Sequence, residues 1–570
     1  MKIKINGREY TYEDNITIFE AARRSHIKIP TLCYNQKLQP YGSCRICSVE
    51  VKDRRTLMPA CVTKIEDNME IFTHSQKVRR VRKMIMELII ASHGITCNLN
   101  CLNCSRATSC EIRNVAAEIG IDKLRIHPME EQIKPIDESS FSIVREPQKC
   151  IVCNRCVRKC SEVQGVDILT IANKGPETHV TTFLDKGMGN VDCTNCGQCI
   201  LECPTGALHE VYHIDQVWKA IEDEEKYVVV QTAPAVRVAI GEEFGANAGE
   251  IETGQMVAGL RLLGFDKVFD TNFSADLTIL EEGTEFIGRV KNNGVLPLFT
   301  SCSPGWIKFL EHNYPEFIPN LSTCKSPQQM FGAIVKSYYA EKNNIDPKNI
   351  VVVSVMPCVA KKFERSRPEM KGDVDYVLTT RELGKMFKQA GINLREVPPE
   401  MYDDPLGESS GAAVIFGATG GVMEAALRTA YEVLTGHNLE KLDFHEVRGI
   451  IGVKEAEITI GNKEIKVAVV NGLGNAKKVL EMIKKKEKEY HFIEFMACPG
   501  GCIGGGGQPI PTNEDTVIER MTSIYDIDMM SKYRKSHENP SVKLLYKEFL
   551  GEPNSEKAHH LLHTTYTARK

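Results

Sequence analysis

Two runs of four cysteines with identical spacing are the residues of this chain best suited to carry chemistry. The pattern C-x2-C-x2-C-x3-C occurs at 150–160 and again at 193–203, and Pro204 follows the second run. Thiolates at this spacing hold [4Fe–4S] clusters, and the fourth cysteine of each run binds the cluster of the other run. The sequence therefore predicts two clusters that carry electrons. Their expected ligands are Cys150, Cys153, Cys156 and Cys203 for one cluster, and Cys193, Cys196, Cys199 and Cys160 for the other.

A further group of four cysteines lies nearer the N-terminus. Its spacing is C-x10-C-x2-C-x13-C, and a long gap followed by a tight pair is typical of a plant-type [2Fe–2S] loop. A zinc site with four cysteines is the alternative, because zinc takes the same ligands in tetrahedral geometry. The four residues are Cys33, Cys44, Cys47 and Cys61.

Between these groups, Cys101, Cys104 and Cys110 have the spacing C-x2-C-x5-C. The stretch resembles a [4Fe–4S] element of complex I and of hydrogenase electron-input domains, in which a histidine precedes the first of three cysteines by four positions. Four positions before Cys101 lies Cys97, and His93 lies four residues further upstream. The fourth ligand is therefore either Cys97 or His93. The spacing of four positions before Cys101 favours Cys97.

The composition narrows the class of protein. Sixteen of the 21 cysteines precede residue 204, and in a large chain such thiols are predicted to be metal ligands or catalysts rather than disulfides. The net charge of -4 provides no basic field for nucleic acid. No apolar run approaches the roughly 20 residues of a membrane span, and the start lacks a secretory signal. The sequence predicts a soluble, cytoplasmic protein.

After residue 210 the sequence changes to apolar strand-like runs that alternate with helical patterns. YVVVQTAPAVRVAI, NIVVVSVMP and IKVAVVNGLG are nearly continuous apolar segments, which indicates parallel strands buried on both faces. We expect a multidomain α/β fold, with α+β ferredoxin-like modules at the N-terminus and a large α/β domain after them. Three separate segments of this domain carry cysteines: FTSCSPGW, VMPCVAKK and FMACPGGCIGGGGQP.

These three segments and the upstream cluster motifs are similar to the catalytic subunit of [FeFe]-hydrogenases. The resemblance implies an H-cluster, a [4Fe–4S] cubane joined by a cysteine sulfur to a diiron subsite with carbonyl, cyanide and azadithiolate ligands. It implies that Cys358, Cys498 and Cys502 bind the cubane, with Cys502 as the bridge, and that the ammonium of Lys361 donates to a cyanide. Residues that match the wall of the diiron pocket are Ala233, Pro234, Pro327, Gln328, Met356 and Met496.

One position departs from the family pattern. The family has two adjacent cysteines in the first segment, a proton relay followed by a cubane ligand, whereas this chain has Cys302 and then Ser303. Three interpretations follow: Ser303 binds iron through oxygen, Cys302 takes the ligand role, or the cluster is impaired. Cys324 has no family role, and we interpret it as a buried thiol.

A proton path is the second requirement of this chemistry. Glu282, Glu285 and Arg289 are spaced i, i+3 and i+7, which places them on one helix face next to apolar residues. Burial would raise the pKa of the carboxyl groups toward the working pH, as a proton carrier requires. The resemblance implies a path through Cys302, Glu282, Ser322, Glu285 and Arg289. An exposed charged helix face is the alternative.

The expected domains are a [2Fe–2S] ferredoxin-like module, a histidine/cysteine [4Fe–4S] element, a double [4Fe–4S] ferredoxin module, an H-cluster domain and a segment resembling the hydrogenase small subunit. The expected activity is reversible H2 oxidation, with electrons exchanged with ferredoxin or a partner subunit. Maturation proteins, and flavin/NAD-binding or formate dehydrogenase subunits, are further expected partners. A sensory homologue or an iron–sulfur assembly factor is the alternative. The domain ranges are 1–78, 79–126, 127–210, 211–514 and 515–570.

Overall fold

A computed structural model of the protein describes residues 1–93, 104, 106–126, 135–439, 442–460 and 463–569. The N-terminal module is a five-stranded sheet with one short helix. Its first two strands form a hairpin, and Asn6 and Gly7 take positive φ angles of 51° and 83° in the turn. The strands, in spatial order, are Arg8–Thr11, Lys2–Ile5, Glu70–Phe72, Ser48–Val51 and Met58–Pro59, and the helix is Ile18–Arg24.

Two helices, Gln76–Ser92 and Glu111–Ile119, follow this sheet. The second ends at Gly120, whose φ of 74° is the left-handed conformation common after a helix. Both helices contribute to one apolar cluster with Leu32 and Ile46 of the cysteine-rich loop. The second module is therefore built against the first.

Short elements surround the two repeated cysteine runs. A residue with positive φ precedes a short helix in each run: Asn154 at 66° before Arg155–Arg158, and Gly197 at 71° before Gln198–Glu202. Matching cysteine spacing thus gives matching local structure. The antiparallel strand pairs here are Ile143–Arg145 with Leu208–Glu210 and Thr170–Ala172 with His179–Thr181.

The large domain contains two four-stranded sheets. All strands of the first sheet are parallel, and its central strands are buried and apolar on both faces, as predicted. The second sheet has three parallel strands and one antiparallel edge. In spatial order, the first contains Lys267–Asp270, Tyr227–Thr232, Ile350–Met356 and Tyr376–Thr379, and the second contains Leu298–Phe299, Phe492–Met496, Lys463–Asn471 and Val453–Ile460.

The first apolar segment forms a shorter strand than its sequence indicates. The strand ends at Thr232, and Ala233 and Pro234 begin a turn. Proline has no N–H for a sheet hydrogen bond, so the chain leaves the sheet there.

Helices cover the sheets on both faces, and among the described residues no helix is long and apolar enough to span a bilayer. The helix Thr271–Lys291 is the longest of them and runs from the first sheet toward the second. Asp270 begins it by accepting a hydrogen bond from the Asn272 backbone N–H at 3.0 Å. Other helices are Ile214–Ile221, Thr253–Leu262, Pro304–Asn313, Pro327–Ile334, Ala340–Lys342, Ala360–Glu364, Thr380–Gln389, Gly411–Val414, Gly421–Thr435 and Leu473–Lys484.

The C-terminal segment wraps the large domain. Leu545 and Leu562 join the apolar core of the first sheet. The backbone of the segment also pairs with residues 323–325. Lys325 N–H donates to Leu562 O at 2.8 Å, and Thr564 N–H donates to Thr323 O at 2.7 Å. Its helices are Glu514–Met530, Pro540–Leu545 and Glu556–Leu562.

Candidate active site and electron path

A cavity lies where parallel strands from both sheets end. The strands Tyr227–Thr232, Ile350–Met356 and Phe492–Met496 stop at its wall, so the loops after them line it. The carboxyl ends of parallel strands are where open α/β sheets bind ligands. The cavity encloses about 800 Å³, its opening included, and its lining is mostly apolar.

The cysteines that line this cavity include the three expected cubane ligands, Cys358, Cys498 and Cys502. Burial raises the pKa of each thiol, and it raises that of Cys502 to about 12, with the Cys358 thiol adding to the effect. A thiolate at this place therefore needs a positively charged partner. Iron–sulfur units prefer thiolate donors, so the donor set fits three positions of a [4Fe–4S] cubane.

Cys302 and Ser303 lie together at the same wall, directly before the helix Pro304–Asn313. The Ser303 hydroxyl accepts a hydrogen bond from the Ala497 backbone N–H at 3.2 Å. The Cys302 thiol lies near a carboxyl group instead: burial, and then the charge of Glu282, raise its pKa well above the usual range. The two adjacent side chains thus have different surroundings: Ser303 has a backbone N–H donor, and Cys302 has the Glu282 carboxyl group.

Lys361 is held with its ammonium group at the cavity. Its Nζ donates to Cys302 O at 3.1 Å and to the Glu364 carboxylate at 2.9 Å. The same carboxylate accepts from Ser326 Oγ at 2.8 Å and from Gln328 Nε2 at 3.0 Å. A buried charge is tolerated when it is paired and hydrogen-bonded, and this network satisfies both groups.

The other wall residues named from the family resemblance also lie at this cavity. Phe416 and Thr271 line it as well, although the sequence alone did not indicate them. The wall residues that were indicated are Ala233, Pro234, Pro327, Gln328, Met356 and Met496.

Glycines allow the backbone to approach closely beside the cavity. A Cβ at Gly505 would lie 2.2 Å from Pro357 O, and one at Gly420, where φ is +93°, would lie 2.0 Å from Val447 O. No side chain fits at these separations. Glycine is therefore required at both positions.

The helix Thr271–Lys291 brings the residues of the expected proton path together. Glu282 is 3% exposed, and burial, then the negative charge of Glu285, raise its pKa to about 8, although the Ser322 hydroxyl lowers it in part. Ser322 Oγ donates to Glu285 Oε2 at 2.9 Å, and Arg289 Nη2 donates to Glu285 Oε1 at 2.6 Å. These groups form a polar connection from the neighbourhood of the cavity to a partly exposed arginine, so the alternative of an exposed charged face does not describe Glu282.

Two smaller cavities hold the cysteines of the repeated runs in the groups that the spacing predicted. In each cavity, three cysteines come from one run and the fourth comes from the other. The first cavity is lined by Cys150, Cys153, Cys156 and Cys203, and the second by Cys160, Cys193, Cys196 and Cys199.

The N-terminal cysteine group is also assembled. The sulfur atoms of Cys47 and Cys61 lie 3.4 Å apart, and the Cys33 thiol is hydrogen-bonded to Cys44 and Cys61. Arg158 of the first repeated run donates to Cys33 O at 2.9 Å. This contact joins the N-terminal cluster loop to the ferredoxin-like module.

His93 ends the helix Gln76–Ser92 and is 2% exposed. Its Nδ1 has no hydrogen-bond partner among the residues that the structure describes. Burial, and then the charge of Lys149, lower the pKa of the imidazole to about 4, so the ring is neutral near pH 7. Cys104 and Cys110 are described, whereas Cys97 and Cys101 lie outside the described residues.

Known families match the chain in the same order as these modules. The C-terminal domain of the iron-only hydrogenase large subunit matches 226–506, and the iron hydrogenase small subunit matches 514–569. A 2Fe-2S iron-sulfur cluster binding domain matches 1–76, the NADH-ubiquinone oxidoreductase-G iron-sulfur binding region matches 82–125, and the ferredoxin-like domain of NADH-quinone oxidoreductase subunit 3 matches 141–209.

Similar proteins match nearly the whole chain. The NADP-reducing hydrogenase subunit HndD of Solidesulfovibrio fructosivorans is 46% identical over 100% of this chain and 99% of its own length. The chain belongs to the iron-only hydrogenase family. Iron hydrogenase 1 of Clostridium pasteurianum is 41% identical over 99% of both chains. The solved [FeFe]-hydrogenase HydA1 of Chlamydomonas reinhardtii is 46% identical and covers 63% of this chain and 99% of its own, with a TM-score of 0.57.

Two features of this hydrogenase were missed in the sequence. Glu364 follows Lys361 by three residues, a helical ion-pair spacing that was a usable signal. His563 was not singled out, because no motif surrounds it in the sequence. The fold places His563 beside Glu281, Glu285 and Cys324, which no local pattern reveals.

Proposed function

We propose that this hydrogenase interconverts H2 with two protons and two electrons at an H-cluster bound in the cavity. When bound, the cluster supplies the iron at which H2 is formed or split, with carbonyl, cyanide and azadithiolate ligands on its diiron subsite. Cys358, Cys498 and Cys502 would hold it, and the ammonium of Lys361 would donate to it. The observation that carries the proposal is the set of three buried thiols at a cavity that the proton path also approaches.

The protein's own residues handle the protons. Because the pKa of Glu282 is about 8, its carboxyl group is protonated at neutral pH, and it is able to return a proton to the Cys302 sulfur after the thiol has given up its own proton at the cavity. Ser322 and Glu285 then resupply Glu282, and Arg289 holds Glu285 at the outer end of the path. The apolar cavity wall excludes water, so protons use this path and not bulk solvent.

Electrons would reach the cavity through one [2Fe–2S] and three accessory [4Fe–4S] clusters. The cluster site that contains Cys196 adjoins the active site, because Cys498 Sγ lies 4.0 Å from Cys196 O. The backbone at Gly506 also packs closely against this residue: a Cβ there would lie 2.5 Å from Cys196 O. At the other end, the N-terminal loop contacts the ferredoxin-like module through Arg158. These contacts support a route from the N-terminal loop through the ferredoxin-like module to the cavity.

The electron partner is proposed to be a low-potential carrier such as ferredoxin, or a flavin- and NAD(P)-binding subunit in the cytoplasm. The name of HndD, a subunit of an NADP-reducing hydrogenase, supports the second kind of partner. A formate dehydrogenase subunit is a further candidate, and maturation proteins would insert the diiron subsite. A sensor or assembly factor is not favoured, since HndD and Iron hydrogenase 1, which each match nearly the whole chain, are named as hydrogenases.

The activity test uses the full chain, matured with its clusters and supplied with a chemically reduced one-electron dye. We expect H2 in the headspace and, in the reverse direction, reduction of the oxidised dye under H2. The Cys502→Ala variant, which removes the expected bridging thiolate, is the matched control and should evolve none. A wild-type protein that contains its iron but evolves no H2 contradicts the proposal.

We also propose that His93 is the fourth ligand of the second cluster, in place of Cys97. The neutral, buried imidazole with an unpartnered nitrogen is what a metal ligand requires, and an uncoordinated buried nitrogen would carry a desolvation cost. We expect His93→Ala to lose one [4Fe–4S] cluster, about four iron atoms per chain, and Cys97→Ala to retain it. Iron analysis and EPR of both variants decide between them, and the opposite pattern would restore Cys97 as the ligand.

A further inference from the structure

A buried histidine of the C-terminal segment lies beside the proton path without belonging to it. His563 is 6% exposed, and its Nδ1 lies 2.8 Å from Thr323 Oγ1. Thr323 contacts the path directly: its backbone N–H donates to Glu285 Oε2 at 3.0 Å, and its hydroxyl donates to the same oxygen at 3.3 Å. A single hydroxyl therefore separates the imidazole from the outer carboxylate of the path.

The far side of the imidazole meets a second buried carboxylate. His563 Nε2 lies 3.0 Å from Glu281 Oε2, and Glu281 is fully buried. Glu281 also accepts from the Tyr546 hydroxyl and, at 2.8 Å, from the Asn554 backbone N–H, both from the C-terminal segment. The C-terminal segment thus supplies three hydrogen-bond partners for the buried Glu281 carboxylate.

Counting protons in these bonds gives two arrangements. If the Thr323 hydroxyl donates to Glu285, its oxygen accepts from Nδ1–H, and Nε2–H donates to Glu281, so His563 carries both ring protons. If Nδ1 has lost its proton, the hydroxyl donates to Nδ1 instead, and the imidazole is neutral. The two states differ by one proton.

We propose that His563, paired with Glu281, stores a proton for the hydrogenase path and passes it to Glu285 through the Thr323 hydroxyl. The proton leaves Nδ1 for the threonine oxygen as the hydroxyl proton leaves for Glu285 Oε2. One proton moves in total, and no electron does. The inference rests on the proposed function, because a store is useful only where protons are consumed in pairs. His563 acts through Glu285 and is a positioning residue.

Backbone hydrogen bonds hold His563 in place beside the proton path. Thr564 N–H donates to Thr323 O, and Lys325 N–H donates to Leu562 O, at 2.7 and 2.8 Å. These bonds fix the residues on both sides of His563 against the residues on both sides of Cys324. If the C-terminal segment only covered the apolar core, it would not need the buried pair of His563 and Glu281 at this position.

The test is a double-mutant cycle in the matured full chain. Thr323→Val removes the hydroxyl and keeps the backbone N–H, and His563→Gln removes the ionisable ring. We expect each to lower H2 evolution by about 10-fold, and the double variant to be no slower than either, because both interrupt one branch. Thr323→Ser keeps a hydroxyl and should restore wild-type turnover.

The matched control is Thr564→Val, which removes a neighbouring buried hydroxyl that has no hydrogen-bond partner among the described residues. We expect its turnover to stay within about twofold of wild type, as for a change outside the path. Infrared difference spectra should show a shifted carboxylic acid band in Thr323→Val and an unshifted one in Thr564→Val. This readout does not depend on the rate of catalysis.

Three results would overturn the inference: wild-type turnover in Thr323→Val, losses that multiply in the double variant, or failure of Thr323→Ser to restore turnover. Multiplying losses would indicate two independent structural effects, not one branch. If His563→Gln fails to fold, Thr323→Val with its infrared band still decides the question. A wild-type chain with no H2 evolution would be a failure of the proposed function and not of this branch.

Discussion

Glu282→Gln should lower H2 evolution by about 10²-fold or more and leave every cluster in place, since this is the usual scale for the loss of a general acid–base step. Glutamine has the shape of the protonated carboxyl group but does not ionise. Because Glu282 is protonated at neutral pH, the amide should fit the buried position without disturbing the fold. Turnover at saturating reductant, measured beside iron content, tests this expectation.

The matched control is Asp276→Asn on the same helix. Asp276 is also buried, with a pKa raised to about 6 by that burial, but it accepts hydrogen bonds from Ser410 and Asn539, away from the cavity. Its amide variant should keep most of the activity. Equal losses in the two variants would mean that burial of any carboxyl group on this helix matters, and that Glu282 is not on the path.

Stability gives an independent check on Glu282. Its pKa in the folded state, about 8, lies above the ordinary value of 4.5, so between these pH values the native state binds more protons than the unfolded state. This contribution to the free energy of unfolding is fully present below pH 4.5 and is lost as pH rises toward 8. Glu282→Gln should remove that part of the pH dependence in unfolding experiments, and an unchanged slope would contradict the raised pKa.

Cys302→Ala should abolish H2 turnover and leave the EPR signal of the cubane, because we assign Cys302 as the proton relay: after burial, the charge of Glu282 has the largest effect on the pKa of its thiol. Ser303→Cys should not lower activity and should raise iron occupancy or resistance to chelators. A thiol is a far stronger acid than an alcohol and a better ligand for iron–sulfur units. Both expectations follow from separate roles for two adjacent side chains.

Iron content, EPR and H2 evolution of these two variants separate the interpretations of the first segment. The hydrogen bond from Ala497 N–H to Ser303 Oγ is compatible with a serine that binds iron and with one that only accepts this bond. A Cys302→Ala protein that loses both the cubane and activity would show that Cys302 is itself the fourth ligand, and would contradict its assignment as the relay.

Motif spacing was sufficient to predict how the cysteines of the two repeated runs are grouped. The crossed grouping of Cys160 and Cys203 follows from a rule about repeated runs, and the structure places them so. The helix of Glu282 and Glu285 was likewise predictable from its period. These features are local in sequence, so a short segment determines them.

Features that join distant segments were not predictable. His563 reaches Thr323 across 240 positions, and Tyr546 reaches Glu281 across 265, so only the folded C-terminal segment reveals their contact. The end of the strand at Thr232 is a different case: it was missed because the apolar run continues past it, although Pro234 was a local signal for it.

Infrared spectroscopy of the matured chain tests the central claim most directly. Carbonyl and cyanide ligands on iron absorb where protein does not, so they report the diiron subsite independently of turnover. We predict carbonyl and cyanide stretching bands in wild type that shift when the sample is reduced, and their loss in Cys502→Ala. A wild-type protein with full accessory iron–sulfur clusters and no such bands would contradict the assignment of the cavity as an H-cluster site.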